Sequence, residues 1–401
     1  MSVGTAAPAR RARIAVSAGF AGQGFAYATV LTSLEGFKDR YGIGDGQVTL
    51  VVLGVCVMAV VGTLVADRVA RTPGGSRVVL GAGLLVVATA VVVAAVAPVF
   101  AVLALGFAVY GVGLGMVDAG TNMQAVALQR EYGRSLLTGF YASWSVGGIA
   151  GAVFVATTVG RTPTDPVAVA LLAGTLVAAL AAVGVLRAGW RGAGPVDTPV
   201  DVTATRVVPW GPVFLLGLGV VAFYVADTAI STWSTIYLGD VLLAAASFAP
   251  LGYAAYLTTT LASRLAGDPL VRRWGRVVVL RTGAIIGVVG LVLVVAAPGP
   301  WVGLAGFAVA GAGLGVIAPL CFSAAGDLAP GHADAVVARL NIFNYVGAVL
   351  GGVLVGAIGS TSSLQYGFAV PIVLMVVVAI VAGRFGVTRR SDTTITAGAD
   401  A

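Results

Sequence analysis

The sequence predicts an all-α integral membrane protein of twelve transmembrane helices arranged as two pseudo-symmetric six-helix halves. Three observations carry that expectation. Of 401 residues, 59% are hydrophobic and 10% charged, with a mean hydropathy of +1.01, whereas soluble domains carry about 25% charged residues. Apolar runs of about 20 residues, the length a helix needs to cross a bilayer, follow one another along the chain. And the sequence repeats itself. Residues 105–115 read LGFAVYGVGLG and residues 305–315 read AGFAVAGAGLG, with the glycines and Phe-Ala-Val in register. The same offset relates Val78-Val79-Leu80 and Gly83 to Val278-Val279-Leu280 and Gly283, and an offset of 201 relates Asp67 to Asp268. A half-chain repeat in an apolar sequence marks a duplicated membrane bundle, an architecture common among secondary transporters.

Taken in order, the apolar runs place the first six spans at 12–34, 47–66, 77–97, 99–127, 135–160 and 166–187. The second six fall at 210–238, 243–266, 277–297, 300–325, 336–359 and 364–386. Short joints at Pro98 and at Pro298-Gly299-Pro300 make hairpins of spans three and four and of nine and ten. Residues 188–208, with Pro195, Asp197, Pro199, Asp201 and Arg206, form the seam. The expected organisation is therefore a segment 1–11, a half over 12–187, a linker 188–208, a half over 209–386, and a polar tail 387–401.

Charge sets the orientation. Arg10, Arg11 and Arg13, then Arg68, Arg71 and Arg77, Arg130 and Arg134, Arg187, Arg191 and Arg206, Arg272, Arg273 and Arg276, Arg339, Arg389 and Arg390 alternate with the apolar runs on one side. The other side carries Lys38, Arg40 and Arg161. Cytoplasmic loops are the ones rich in arginine, so both termini and the seam are expected in the cytoplasm of a bacterial cell, with the bundle in its inner membrane. The net charge of +7 reads as this topology signal and not as nucleic-acid binding. The first apolar run is too long for a signal-peptide core, so no cleavable leader is expected. Cys56 and Cys321 lie in apolar runs, and His332 is the only histidine, so no metal centre, cofactor or nucleophilic triad is expected and the chain does not read as an enzyme.

Acids inside spans stand out, because an Asp at mid-helix costs about 2.5–3.5 kcal/mol on insertion scales and normally faces a cavity or a partner. Asp118 lies in span four and Asp227 in span seven. A buried carboxyl able to be charged or neutral is a candidate proton carrier, and no intramembrane Lys or Arg stands out to neutralise either one. Asn122 follows Asp118 by one turn, and Tyr224, Ser231 and Ser234 share a face with Asp227 at spacings of three and four. Gln23 and Tyr27, Gln124, Tyr141 and Trp144, Trp233, and Asn341 and Asn344 complete a candidate solute path. Buried amides and hydroxyls also tie helices together with no transport role; their spread over several spans favours a shared wet cavity. Gly111-x-x-x-Gly115 and Gly311-x-x-x-Gly315 suit close helix packing. GAGLG at 311–315 lies inside a span, without the strand–turn–helix context of a nucleotide loop.

At these residues the chain resembles the major facilitator superfamily, and within it the fucose-permease-like branch, over residues 12–386. The stretch Gly-Met-Val-Asp118-Ala-Gly-Thr-Asn122-Met-Gln124, then Glu131-Tyr-Gly133-Arg134 and Trp144-Ser-Val-Gly147-Gly148, is similar to the branch's fourth-to-fifth-helix signature. Asp227 with Trp233-Ser234 and Tyr237-Leu238 resembles its seventh helix, and Gly267-Asp268, Leu270-Val271, Arg273 and Gly275-Arg276 its loop after helix eight. Asp67-Arg68 and Arg71 match the superfamily's loop after helix two, with Thr63 and Ala70 where that loop has glycines. Tyr141 stands where the branch often has a histidine, and Ser145-Val146-Gly147-Gly148 lacks the proline of the antiporter signature.

The resemblance implies two halves that rock around a central site. The expected function is secondary active transport of a small organic solute, coupled to protons as symport or antiport, by a permease working as a monomer in membrane lipid. Asp118 and Asp227 are the expected proton carriers. Asp67, Arg68 and Arg71, with Asp268, Arg272 and Arg273, are the expected cytoplasmic gate loops. An exporter of drugs or secondary metabolites on the same fold is the nearest alternative. A non-transporting membrane scaffold or sensor is the alternative of another class.

Overall fold

The computed structural model describes residues 3–70, 72, 74–132, 136–159, 165–191, 210–328, 333–361 and 363–386. Among these residues the chain is helical, without strands. The first half comprises α1 (Val3–Thr32), a short α2 (Leu34–Tyr41), α3 (Asp45–Ala70), α4 (Gly75–Val96), α5 (Phe100–Tyr132), α6 (Leu137–Thr158) and α7 (Pro166–Ala188). The second comprises α8 (Trp210–Ile236), α9 (Leu251–Trp274), α10 (Arg276–Val295), α11 (Pro300–Leu314), α12 (Ile317–Leu328), α13 (Ala333–Thr361), α14 (Leu364–Gly367) and α15 (Ala369–Val381). With α11–α12 and α14–α15 each forming one broken span, and α2 set aside as a connector, this is the expected twelve-helix bundle. Eleven of the spans are long and apolar enough to cross a membrane; the twelfth, α9, is diluted by Arg264, Asp268, Arg272 and Arg273.

Local chemistry sets several helix ends. Asp165 caps α7 by accepting from the backbone N–H groups of Val167 and Ala168, and Pro166 occupies the first helical position, where a missing N–H costs nothing. The short Pro98 and Pro298–Pro300 joints hold as expected, with α5 and α11 following within a few residues. One expected span is displaced. The run 243–266 is largely apolar, with Arg264 near its end, but α8 continues through a wide turn at Tyr237–Val241, Leu243 adopts a left-handed φ of 54°, and α9 begins only after Pro250. The helix thus lies eight residues later than expected. α1 also starts earlier, at Val3, with Pro8 inside it. Most of the seam 188–208 and all of the tail 387–401 lie outside the described residues.

Glycines set the packing. A methyl added to Gly111 or Gly115 of α5 would collide with the carbonyl oxygens of Val55 or Ala59 on α3. In the second half, Gly311 and Gly315 meet the carbonyls of Tyr256 and Thr260 on α9 in the same way. Gly147 and Gly151 of α6 lie on the carbonyls of Ala21 and Phe25 in α1, and Gly347 and Gly351 of α13 on those of Val221 and Val225 in α8. In lipid, where hydrophobicity does not drive helices together, such close approach supplies the dispersion that holds the bundle.

The two halves meet at a few places. Val52 of α3 packs on Gly352 of α13, and Thr49 on Gly356 beside the Trp233 ring. Leu257 of α9 reaches Gly148 of α6. Tyr27 comes close to Ser231 of α8. Tyr345 of α13 comes close to Thr63 of α3.

Replacing Gly115 with Val should therefore destabilise the protein by about 1–3 kcal/mol, the usual cost of overpacking. Gly54→Val, at a position with nothing within 4 Å of a new Cβ, should be near neutral. Thermal unfolding of the detergent-solubilised variants checks this, and equal losses in both would show that the α3–α5 approach is not limiting.

Candidate transport site

Two carboxyls from opposite halves occupy the centre of the bundle. On the first-half side, Gln23 of α1 donates from Nε2 to Asp118 Oδ1 on α5. Asn122 does not hold the carboxyl, as its spacing had suggested. Its Nδ2 donates to the backbone carbonyl of Asp118 at 2.9 Å, the acceptor an amide one turn later reaches most easily. Its Oδ1 accepts from the Tyr141 hydroxyl at 3.0 Å, which ties α5 to α6. Asn122 and Tyr141 are exposed toward the arginine-rich side.

On the second-half side, Tyr256 of α9 donates to Asp227 Oδ1 at 2.6 Å. The hydroxyls expected around Asp227 behave differently. Ser231 turns back to the carbonyl of Thr228 at 3.2 Å, and the buried Ser234 Oγ has no partner among the described residues. The two sides form one polar girdle. Tyr27 and Tyr224 each lie within electrostatic reach of both Asp118 and Asp227, and the Trp144 ring sits 6.0 Å from that of Tyr27. Asn344 is half-buried on α13.

Two expected lining residues are elsewhere. Gln124 is fully buried, donating to Ser76 Oγ at 2.8 Å and accepting from the Trp190 N–H at 2.8 Å. Six residues beyond Asp118 it points away from the girdle, and it ties α5 to α4 and to the end of α7. Trp233 is fully buried too, donating from Nε1 to the Gly352 carbonyl at 2.9 Å. It pins α8 to α13 rather than lining a path. The gate residues Asp67, Arg68, Arg272 and Arg273 lie exposed in the last turns of α3 and α9. Arg68 Nη1 donates to the Leu64 carbonyl and Arg273 covers its neighbour Trp274 at 5.4 Å, contacts within their own helices. Arg71 lies outside the described residues, as do the side chains of Asp268 and Asn341.

Arg264 corrects the expectation that no cation is available inside the spans. It stands near the middle of the 24-residue α9, within electrostatic reach of Asp227, Tyr256, Tyr224 and Tyr141. Tyr256 was missed with it. Placing the eighth span eight residues early put Arg264 at a helix end, where a charge draws no notice. A surface groove bounded by Leu50, Val51, Gly54, Phe100, Ala104 and Ala108, with Gln47 at its rim, is apolar and lies between α3 and α5, away from both acids.

The face opposite the arginine-rich loops is sealed by charge. Lys38, the chain's only lysine, donates to Asp45 at 2.7 Å and to Asp240 of the other half. Glu35 packs on Gly239. Burial, with Asp240 and Asp39 nearby, pushes the Glu35 carboxyl up to about 7, and Lys38 only partly opposes this.

Comparison with known proteins agrees with this arrangement. The sequence profile of the Major Facilitator Superfamily matches residues 215–401. An uncharacterised transporter of Sinorhizobium fredii is 30% identical over 272 residues, covering 66% of this chain and 69% of that protein. An uncharacterised MFS-type transporter of Yersinia pestis is 29% identical over 265 residues, covering 65% and 67%. Among solved structures, the nucleoside transporter NupG superposes with a TM-score of 0.75 at 12% identity, over 93% of this chain and 99% of that one. The E. coli fucose:proton symporter FucP superposes with 0.62 at 14% identity, over 93% and 98%. Two six-helix halves around a shared polar girdle define a membrane transporter. The chain belongs to the major facilitator superfamily, and a fucose permease is among its structural relatives.

The Glu35 environment predicts a pH effect with a definite sign. If opening this face exposes Glu35 to water, its carboxyl returns to the ordinary value of 4.5, so the closed face binds the proton more tightly. Closure is then most favoured below about 4.5, weakens as pH rises toward about 7, and is flat above that. Labelling of a Thr228→Cys probe from the Glu35 face, in a Cys56→Ala and Cys321→Ala background, should rise across this window. Glu35→Gln should abolish the rise; an unchanged profile would remove Glu35 as its source.

Proposed function

We propose that the chain is a proton-coupled secondary transporter of a small organic solute, working by alternating access in the bacterial cytoplasmic membrane with both termini in the cytoplasm. The observation that carries the coupling is the paired design of the acids. Each half brings one carboxyl to the shared girdle, and each is held by a neutral donor, Gln23 on Asp118 and Tyr256 on Asp227. Both donors come from a different helix than their acid, so helix movement changes the carboxyl's surroundings and hence its hold on a proton. The FucP neighbour is itself a fucose:proton symporter, which supports the reading by analogy only. The arginine-rich loops on one side support the orientation.

Replacing either acid with Asn keeps the hydrogen bonding and fixes the neutral form. In proteoliposomes with entrapped pyranine, challenged with a panel of sugars, nucleosides and carboxylates, the parent should show solute-dependent proton movement. Asp118→Asn and Asp227→Asn should lose that signal at least tenfold while still exchanging the same labelled solute at equal concentrations. Proton movement as in the parent in both variants and in the double variant would make these acids structural.

The orientation has its own test. A reporter fused after Arg390 should be active only in its cytoplasm-sensing form, and a periplasm-active fusion would overturn the topology.

A further inference from the structure

The register of α6 against α9 places a cation where a solute would sit. The halves touch where Leu257 meets Gly148, and from that contact the two helices run antiparallel toward the arginine-rich face. Seven residues along each, about two turns, stand Tyr141 and Arg264. They therefore face each other across the two halves, and Tyr141 lies within electrostatic reach of Arg264. Asp227, Tyr224 and Tyr256 lie within its reach on the other side. Yet among the described residues Arg264 makes no hydrogen bond and no ion pair. Asp227 is engaged by Tyr256 and Asp118 by Gln23. A charged side chain at the middle of a span costs about 2.5–3.5 kcal/mol on insertion scales and ordinarily has a partner. Here the cation has no ion-pair partner among the described residues, and its nearest acid, Asp227, is already engaged by Tyr256.

We propose that Arg264 binds the carboxylate of a singly charged organic anion, so that the transported solute is a monocarboxylate with an apolar or aromatic body. The assignment rests on the transport reading above and narrows its solute. A guanidinium offers a planar fork of donors that fits a carboxylate in bidentate fashion. One cation matches one negative charge, whereas a phosphate monoester brings about −1.5 to −2 and would leave an excess beside two acids. The rings of Tyr27, Trp144, Tyr141 and Tyr224 supply rigid apolar faces for the rest of the molecule. The same geometry ties the anion to the proton. An ionised Asp227 competes for Arg264, and a protonated one leaves it free, so anion and proton are favoured together.

The test uses the purified full-length protein in detergent at constant ionic strength, with thermal unfolding followed by tryptophan fluorescence. The probes are benzoate, phenylacetate and hexanoate, each paired with its amide, and inorganic phosphate. At least one carboxylate should raise the midpoint at millimolar concentration while its amide does not. Arg264→Gln should abolish that shift, and Arg264→Lys, which keeps the charge and loses the fork, should weaken the apparent affinity about tenfold. If Arg264→Gln does not fold, the Lys variant decides, because a general folding defect lowers the unliganded midpoint without selectively weakening the carboxylate. Equal stabilisation by acid and amide, a shift surviving in Arg264→Gln, stabilisation by phosphate alone, or no shift with any carboxylate would each overturn the proposal. Failure here leaves proton coupling standing with an uncharged solute. Conversely, if Asp118→Asn and Asp227→Asn still move protons but the carboxylate shift depends on Arg264, the coupling reading fails and this one survives.

Discussion

Backbone-to-backbone contact through glycine is the constraint on which the rest of this bundle depends. The glycines of α5 and α6 lie on carbonyls of α3 and α1, and those of α11 and α13 on carbonyls of α9 and α8. The pairs are related by nearly constant offsets. Gly147 and Gly151 on Ala21 and Phe25 recur 200 residues later as Gly347 and Gly351 on Val221 and Val225. Gly111 and Gly115 on Val55 and Ala59 recur as Gly311 and Gly315 on Tyr256 and Thr260. Without a hydrophobic drive between helices in lipid, contact distance decides how much dispersion each pair gains. These glycines also place the chemistry. Because α1 lies against α6 and α3 against α5, Gln23, Asp118, Asn122 and Tyr141 converge on one side of the girdle.

Each half is thus tightly fastened internally, while the contact between halves is of a different kind. The Lys38–Asp240 ion pair and the Thr49–Gly356 approach hold the halves together at the far face. Nearer the arginine-rich face, Asn122, Tyr141 and Tyr345 are exposed. Halves fastened more tightly within themselves than to each other are what the proposed rocking motion requires.

Much of the frame was legible in the sequence, because the half-chain repeat and the apolar runs report packing directly. The second glycine repeat, Gly147 and Gly151 with Gly347 and Gly351, follows the same offset of 200. The acids were legible as well, since an Asp in an apolar run needs a reason. Their partners were not. Hydrogen bonds across helices depend on rotation and register, so Tyr256 was invisible while Ser231 and Ser234, on the right face, turned out to be occupied or buried. Gln124 and Trp233 show the opposite failure. Their polarity suggested a wet path, and it serves instead to join helices. Arg264 was lost to a boundary error. The apolar content of 243–250 mimics a helix, and only the left-handed turn at Leu243 and the break at Pro250 move α9 to where the arginine becomes central.

The same offsets show what distinguishes the halves. Structural glycines recur, but the girdle's side chains do not. Asp118 corresponds to Ala318, Asp227 to Tyr27, Tyr141 to Asn341 and, by the offset of 201 that relates α3 to α9, Arg264 to Thr63. A duplicated frame with equal chemistry in both halves would present a symmetric site with no preference for either end of a solute. Here the second half holds an acid and the arginine, and the first half holds an acid backed by amides. On the proposed reading the solute meets a polarised site, charged toward α9 and neutral hydrogen-bonding toward α5 and α6. The proposed rocking of the halves would move these two chemistries relative to each other, so a molecule bridging them would feel the change at both ends. In the proposed mechanism that asymmetry, laid over a symmetric glycine frame, is what would let one bound molecule report its presence to both halves.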